Sequence, residues 1–157
     1  MENLKILVLD DERVFRDEIK EFLETDGFQV HLAAKPSEAF DILKLTEIDI
    51  IILDLKLPEM DGITVLQKVK ELYPEIEVIM ITGHGDMDAV IQAMRYGAVE
   101  FFPKPFRLID MKAAIQRTKR YIQLSTRYRE VEHSYALVSK ELRESVGYEI
   151  MGSSKAI

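Results

Sequence analysis

The sequence predicts an α/β fold, a doubly wound parallel sheet of five strands with helices on both faces, and three observations carry that prediction. Apolar runs with little polar alternation recur five times in the first 106 residues, as expected of parallel strands buried on both sides. Amphipathic segments of helical period separate them. Two of the runs, 5–10 and 50–54, end in aspartate, and open sheets of this kind gather their functional groups at the carboxyl ends of the strands.

Taken in order, the first strand is expected over Lys5–Leu9, running into Asp10, Asp11 and Glu12. A helix over Glu12–Thr25 follows and ends at Gly27, which supplies the left-handed conformation common at helix ends. The second strand, Gln29–Ala33, leads to a helix over Pro36–Leu45, opened by a proline where the first turn tolerates one. The third strand, Asp49–Leu53, delivers Asp54, and the helix Gly62–Leu72 stops before Pro74, which offers no amide to continue it. The fourth strand, Glu77–Ile81, delivers Thr82, and a helix over Asp86–Arg95 ends at Gly97. A short fifth strand, Glu100–Phe102, precedes Lys104 and Pro105. Strands alternating with helices in this way form right-handed crossovers onto one sheet.

Composition narrows the function. Cysteine is absent, which removes disulfides, thiolate metal sites and cysteine nucleophiles and suits a reducing cytoplasm. No apolar run approaches the roughly 18 residues of a membrane span, and the start lacks the basic region and long apolar stretch of a signal peptide. A soluble, cytoplasmic chain without membrane partners is expected. Residues 1–106 hold 11 Lys and Arg against 22 Asp and Glu, whereas residues 107–157 hold 10 against 6. An acidic front domain is a poor binder of nucleic acid, because phosphate contacts need clustered cations. The basic residues of the tail are spread along a helical pattern and read as its solvated flanks.

Asp10, Asp11 and Asp54 are therefore expected to meet at one sheet edge. Three converging carboxylates repel one another unless a hard divalent cation, or a reaction that consumes charge, offsets them. Each residue taken singly has a plainer reading: a strand-end aspartate as a cap of the next helix, Lys104 as a solvated lysine, and Thr82 as a turn residue before Gly83. Two other phosphate folds fit less well. Phosphatases of the dehalogenase type want a second acid two residues after the nucleophile, where this chain has Lys56, and Gly83-His84-Gly85 lacks the third glycine of a dinucleotide fingerprint.

The order Asp10-Asp11, Asp54, Thr82 and Lys104-Pro105 at successive strand ends resembles the receiver domain of two-component response regulators, over residues 4 to about 118. The resemblance implies a flavodoxin-like sheet of order 2-1-3-4-5 and a cis peptide between Lys104 and Pro105. It also implies that Asp54 accepts a phosphoryl group from a phosphohistidine on a sensor histidine kinase. Mg²⁺ would be held by Asp10, Asp11, Asp54 and the backbone carbonyl of Lys56, with Lys104 pairing with Asp54 before the reaction and with the phosphate after it. Thr82 and Phe101 would form the switch, Phe101 departing from the frequent tyrosine. Lys56 and His84 would flank hydrolytic water and tune phosphate lifetime. The chain would then be no enzyme beyond its own phosphotransfer and slow dephosphorylation.

From Leu108 the helical pattern continues past the expected end of the receiver. Tyr121, Leu124, Tyr128, Val131, Tyr135, Val138 and Leu142 alternate in steps of three and four, the seam of a parallel coiled coil, and Arg127 and Glu132 fall at g and e positions. The expected divisions are a receiver over 1–118, a dimerising linker over 119–146, and residues 147–157, which resemble the opening of the AAA+ module of sigma-54-dependent activators. Ile81 to Asp86 likewise resembles receivers of the nitrogen-regulation and dicarboxylate-transport type. The resemblance implies a homodimer, with AAA+ and DNA-binding domains working on sigma-54 RNA polymerase in the full-length protein. The alternative is a constitutive pairing scaffold in which phosphorylation is incidental.

Overall fold

Five short apolar segments pair side by side in the computed structural model, which describes the backbone of residues 4–83 and 87–154 and the side chains of residues 4–83 and 87–132. They are β1 (Lys5–Leu9), β2 (Gln29–Ala33), β3 (Ile50–Asp54), β4 (Glu77–Thr82) and β5 (Glu100–Pro103). All pairings are parallel, in the order β2-β1-β3-β4-β5, which is the expected flavodoxin-like sheet. The helices are α1 (Arg13–Thr25), α2 (Pro36–Leu45), α3 (Gly62–Leu72), α4 (Met87–Arg95) and α5 (Leu108–Ser154). The chain divides into two compact units, Met1–Thr118 and Lys119–Ile157.

The central strands are buried along nearly their whole length, which explains why they read as unbroken apolar runs. Successive side chains of a strand point to opposite faces. Leu7, Leu9, Ile51, Leu53, Val78 and Met80 join the buried residues of α2, α3 and α4 in one cluster. Ile6, Val8, Ile50, Ile52, Ile79 and Ile81 are the alternate set, and the buried residues of α1 and early α5 (Ile19, Leu23, Met111, Ala114, Ile115) lie outside that cluster. Fully burying a side chain of this size contributes roughly 1.5–3 kcal/mol.

Three strand ends fall one residue beyond expectation, because the ladder continues through Asp54 opposite Ile81 and through Thr82 opposite Pro103. β3 correspondingly begins at Ile50; just before it the Asp49 carboxylate accepts a hydrogen bond from the Lys5 amide at 2.9 Å, and the Asp49 amide donates to the Lys5 carbonyl at 2.9 Å. α1 starts at Arg13 because Glu12 is extended, and no side chain of Glu12 caps it. Gly27 and Gly97 do end α1 and α4 in the left-handed region, at φ 87° and 101°. α3 is capped by Asp61, whose carboxylate accepts from the Thr64 amide at 2.8 Å. Among the described residues, no helix is long and apolar enough to cross a membrane.

Candidate functional site

Register decides what meets at the carboxyl edge. Leu9 pairs with Leu53, Asp54 with Ile81 and Thr82 with Pro103, so the residues that leave these strands emerge side by side. Asp10 is fully buried, Asp54 is buried and Asp11 is exposed, and one carboxylate oxygen from each lies within 4.8 Å of the others. Three hard oxygen donors at that separation fit a divalent cation such as Mg²⁺ or Ca²⁺ and do not suit a soft metal.

Lys104 closes the site. The fifth-strand exit is held by its amide, which donates to the Thr82 carbonyl at 2.6 Å, and the Lys104-Pro105 peptide is cis, as the resemblance implied. Its Nζ donates to Asp10 Oδ2 at 2.8 Å and lies 3.7 Å from Asp54 Oδ2 and 3.6 Å from Glu12 Oε1. The expected pairing with Asp54 is thus the longer contact, and the short one goes to Asp10. The reason is burial: both carboxylates are buried, but Asp10 is the more completely so, and an unpaired charge costs most where water is most fully excluded. Asp10 Oδ1 accepts from the Glu12 amide at 2.8 Å, and Arg16 Nη1 donates to the Asp10 carbonyl at 2.7 Å, so Asp10 is fixed from three sides.

Asp54 is held more loosely. Its Oδ1 accepts from the Lys56 amide at 3.2 Å. The chain then folds back, with the Gly62 amide donating to the Leu55 carbonyl at 2.7 Å. A side chain at Gly62 would collide with the Asp54 carbonyl and would sit 2.7 Å from Leu55 Cα, so this close approach requires glycine. Burial first, and then the charge of Asp10, push the Asp54 pKa up to about 6, against the opposing pull of Lys104 and the Lys56 amide. Burial alone would lower Lys104, but the bond to Asp10 and the charges of Asp10, Asp54 and Glu12 reverse it and hold the ammonium above its ordinary value. The pocket therefore presents one carboxylate held by a short bond to the ammonium and another beside it with a longer contact.

Other predicted positions are placed as follows. Thr82 is buried at the end of β4, and Phe101, opposite Met80, is half-buried against the core. Lys56 is exposed beside Asp54, and His84 lies outside the described residues. In the second unit, Tyr121, Leu124, Tyr128 and Val131 are exposed along α5, while the side chains of Tyr135, Val138 and Leu142 lie outside the described residues. The Tyr128 hydroxyl donates to Glu132 of its own chain, and that carboxylate holds the phenol pKa above its ordinary value. Sequence reasoning missed Phe15, whose ring centroid lies 4.3 Å from Lys104 Nζ, and Glu59, which reaches back to Ser37. The only signal for Phe15 was its place one turn into α1.

Residues 6–116 match the family model of the response regulator receiver domain. The chain is 34% identical over 126 residues to sporulation initiation phosphotransferase F of Bacillus subtilis, covering 80% of this chain and 99% of that protein. It is 37% identical over 125 residues to a putative NtrX-like response regulator of Rickettsia typhi, covering 76% of this chain and 26% of that protein. A crystal structure of NtrX from Brucella abortus superimposes with a TM-score of 0.78 at 28% identity, covering 82% of this chain and 29% of that one. The chain thus spans nearly all of the first relative and about a quarter of the two NtrX proteins.

Proposed function

The chain belongs to the response regulator receiver family, and from that premise we propose that it is a phosphorylation-controlled switch with Asp54 as the phosphoacceptor. The carrying observation is a buried carboxylate at the end of β3 that is neighboured by two others and by an ammonium, yet remains free of a short ion pair. An Asp54 carboxylate oxygen forms the new bond to phosphorus as the bond to nitrogen of a kinase phosphohistidine breaks, and the imidazole leaves. Charge on the transferred oxygens must be met by fixed cations, since positioning and electrostatics dominate phosphoryl transfer. Lys104, tethered to Asp10, keeps its charge within reach of that group.

Asp10, Asp11, Asp54 and the Lys56 carbonyl would hold Mg²⁺, which when bound neutralises phosphoryl oxygens. Thr82 is proposed to move its hydroxyl toward the new phosphate, with Phe101 following into the vacated space. Lys56 and His84 are proposed to set phosphate lifetime. The sensor kinase would be a histidine kinase of the same cytoplasm. The exposed row on α5 supports a homodimer through a coiled coil over 119–146, and the resemblance of the sequence 147–157 to the opening of an AAA+ module supports an output through AAA+ and DNA-binding modules acting with sigma-54 RNA polymerase.

Acetyl phosphate with Mg²⁺ is the direct test. Intact-mass spectra should show one phosphoryl adduct on the wild type and none on Asp54→Asn. An adduct on Asp54→Asn at wild-type yield would place the acceptor elsewhere.

A further inference from the structure

The structure assigns Phe15 the role of a positioning residue for Lys104, an inference that rests on reading Asp54 as the phosphoacceptor. Three carboxylates compete for the Lys104 ammonium, and they pull in different directions. Asp10 holds it inward at 2.8 Å, and Asp54 lies 3.7 Å away. Glu12, at 3.6 Å, has a side chain 65% exposed and draws the ammonium toward solvent. Phe15 presents its ring to the same nitrogen at 4.3 Å.

An aromatic face attracts a cation without accepting a full N–H hydrogen bond, so it restrains the ammonium while leaving its donors for the pocket. An aliphatic side chain would fill the space without that attraction, and a polar one would compete for the donors. The ring is itself braced. Phe15 meets Phe106 edge to face, with centroids 5.8 Å apart and planes at 88°, and Phe106 lies 5.4 Å from Phe102 of β5. Phe106 follows Lys104-Pro105, so the three rings clamp the first turn of α1 to the segment that carries the lysine. Such aromatic pairs favour edge and offset arrangements, which fix orientation as well as distance. The clamp keeps the ammonium above the pocket, where charge develops on the transferred group.

The test uses the full chain as wild type, Phe15→Leu, Phe15→Tyr, Lys104→Met and the double variant Phe15→Leu/Lys104→Met. Trace labelling with acetic anhydride, without any phosphodonor, reports how well Lys104 is held relative to the exposed Lys35. The initial rate of adduct formation from acetyl phosphate at saturating Mg²⁺ reports the consequence. Phe15→Leu should label Lys104 faster and slow adduct formation by about threefold to tenfold, the range a partly desolvated cation–π contact supports. Phe15→Tyr, which keeps the ring, should restore both readouts, and Phe15→Leu should add nothing in the Lys104→Met background. Unchanged labelling, or an equal slowing in both backgrounds, would show that the ring only packs and overturn the proposal. If wild type took up no phosphoryl group while Phe15→Leu still released Lys104, the phosphoacceptor reading would fall and the hold on the ammonium would stand.

Discussion

Lys104 Nζ is closer to Asp10 than to Asp54, at 2.8 Å against 3.7 Å. The shorter bond goes to the carboxylate that is most buried, and Asp54 is left with the longer and weaker share of the same cation. That division has measurable consequences for stability.

Asp54 titrates near 6 in the fold against an ordinary value of 3.8, first through burial and then through the charge of Asp10. A raised carboxylate pKa means that the folded state binds the proton more tightly than the unfolded chain. Its contribution to stability is fully present below the ordinary value and is lost as pH rises through about 6. At pH 7 the charge costs on the order of 2–3 kcal/mol, a net figure that already includes the attraction of Lys104. Asp54→Asn should therefore melt higher than wild type at pH 7 without added metal, and the gap should close toward pH 4. A variant that melts lower at pH 7 would count against the crowded-carboxylate arrangement.

Adding Mg²⁺ should reverse that penalty. A cation bound only by the folded state stabilises it by about 1.4 kcal/mol for each tenfold excess over its Kd. Wild type should gain melting temperature with millimolar Mg²⁺ at neutral pH and gain less at pH 5, where protons compete for Asp54. Asp11→Asn, at the exposed corner of the three, should lose most of the gain. Equal shifts in wild type and Asp11→Asn would mean that the ion sits elsewhere.

The strands and the acidic edge were legible because they rest on local signals, namely unbroken apolar runs, helix-ending glycines and aspartates at strand ends, whereas the strand order came only with the resemblance to receiver domains. The partners of those residues were not. Lys104 and Asp10 are separated by 94 positions, and Glu59 and Ser37 by 22, and nothing in either neighbourhood announces the other. Phe15 reads as one more apolar position of an amphipathic helix until the fold brings Phe106 and Lys104 against it. The strand ends shifted by one because pairing to a neighbouring strand, not residue preference, decides where a ladder stops.

Gly62→Ala should disturb the site from outside it. The added methyl would meet the Asp54 carbonyl and both Leu55 Cα and Leu55 oxygen, at 2.7 and 3.0 Å, and these backbone atoms cannot step aside as a flexible side chain would. Forcing the fit costs about 1–3 kcal/mol. The melting temperature should drop, and the Mg²⁺ gain should shrink with it because the segment leaving Asp54 must shift. A wild-type melt with a wild-type metal response would show that the loop has room.

Glu59 separates two effects of opposite sign. It holds a left-handed φ of 68° and its carboxylate accepts from the Ser37 amide and hydroxyl at 2.9 and 3.1 Å, at the start of α2. Glu59→Ala should destabilise, since it loses the cap and keeps the strained backbone. Glu59→Gly loses the same cap but relieves the strain, so it should melt higher than the alanine variant. Thermal melts ranking alanine above glycine would mean that the strain is absent in solution.

The tail makes a claim separable from the pocket. Tyr121, Leu124, Tyr128 and Val131 are all more than half exposed in the second unit, an apolar row that a single helix has no reason to present to water. A second copy with the same row would bury it as a coiled-coil seam. Sedimentation of the full chain at tens of micromolar should give a dimer without phosphate, and a chain shortened to Lys119 should give a monomer. Val131→Asp would set two carboxylates facing each other in a seam of about three heptads, too short to absorb the desolvation and repulsion. That variant should sediment as a monomer while its Mg²⁺ response and acceptance of a phosphoryl group stay at wild-type levels, because Asp54 and its neighbours belong to the first unit. An undisturbed dimer in Val131→Asp, or a monomeric full chain, would remove the coiled coil from the account and leave the receiver intact.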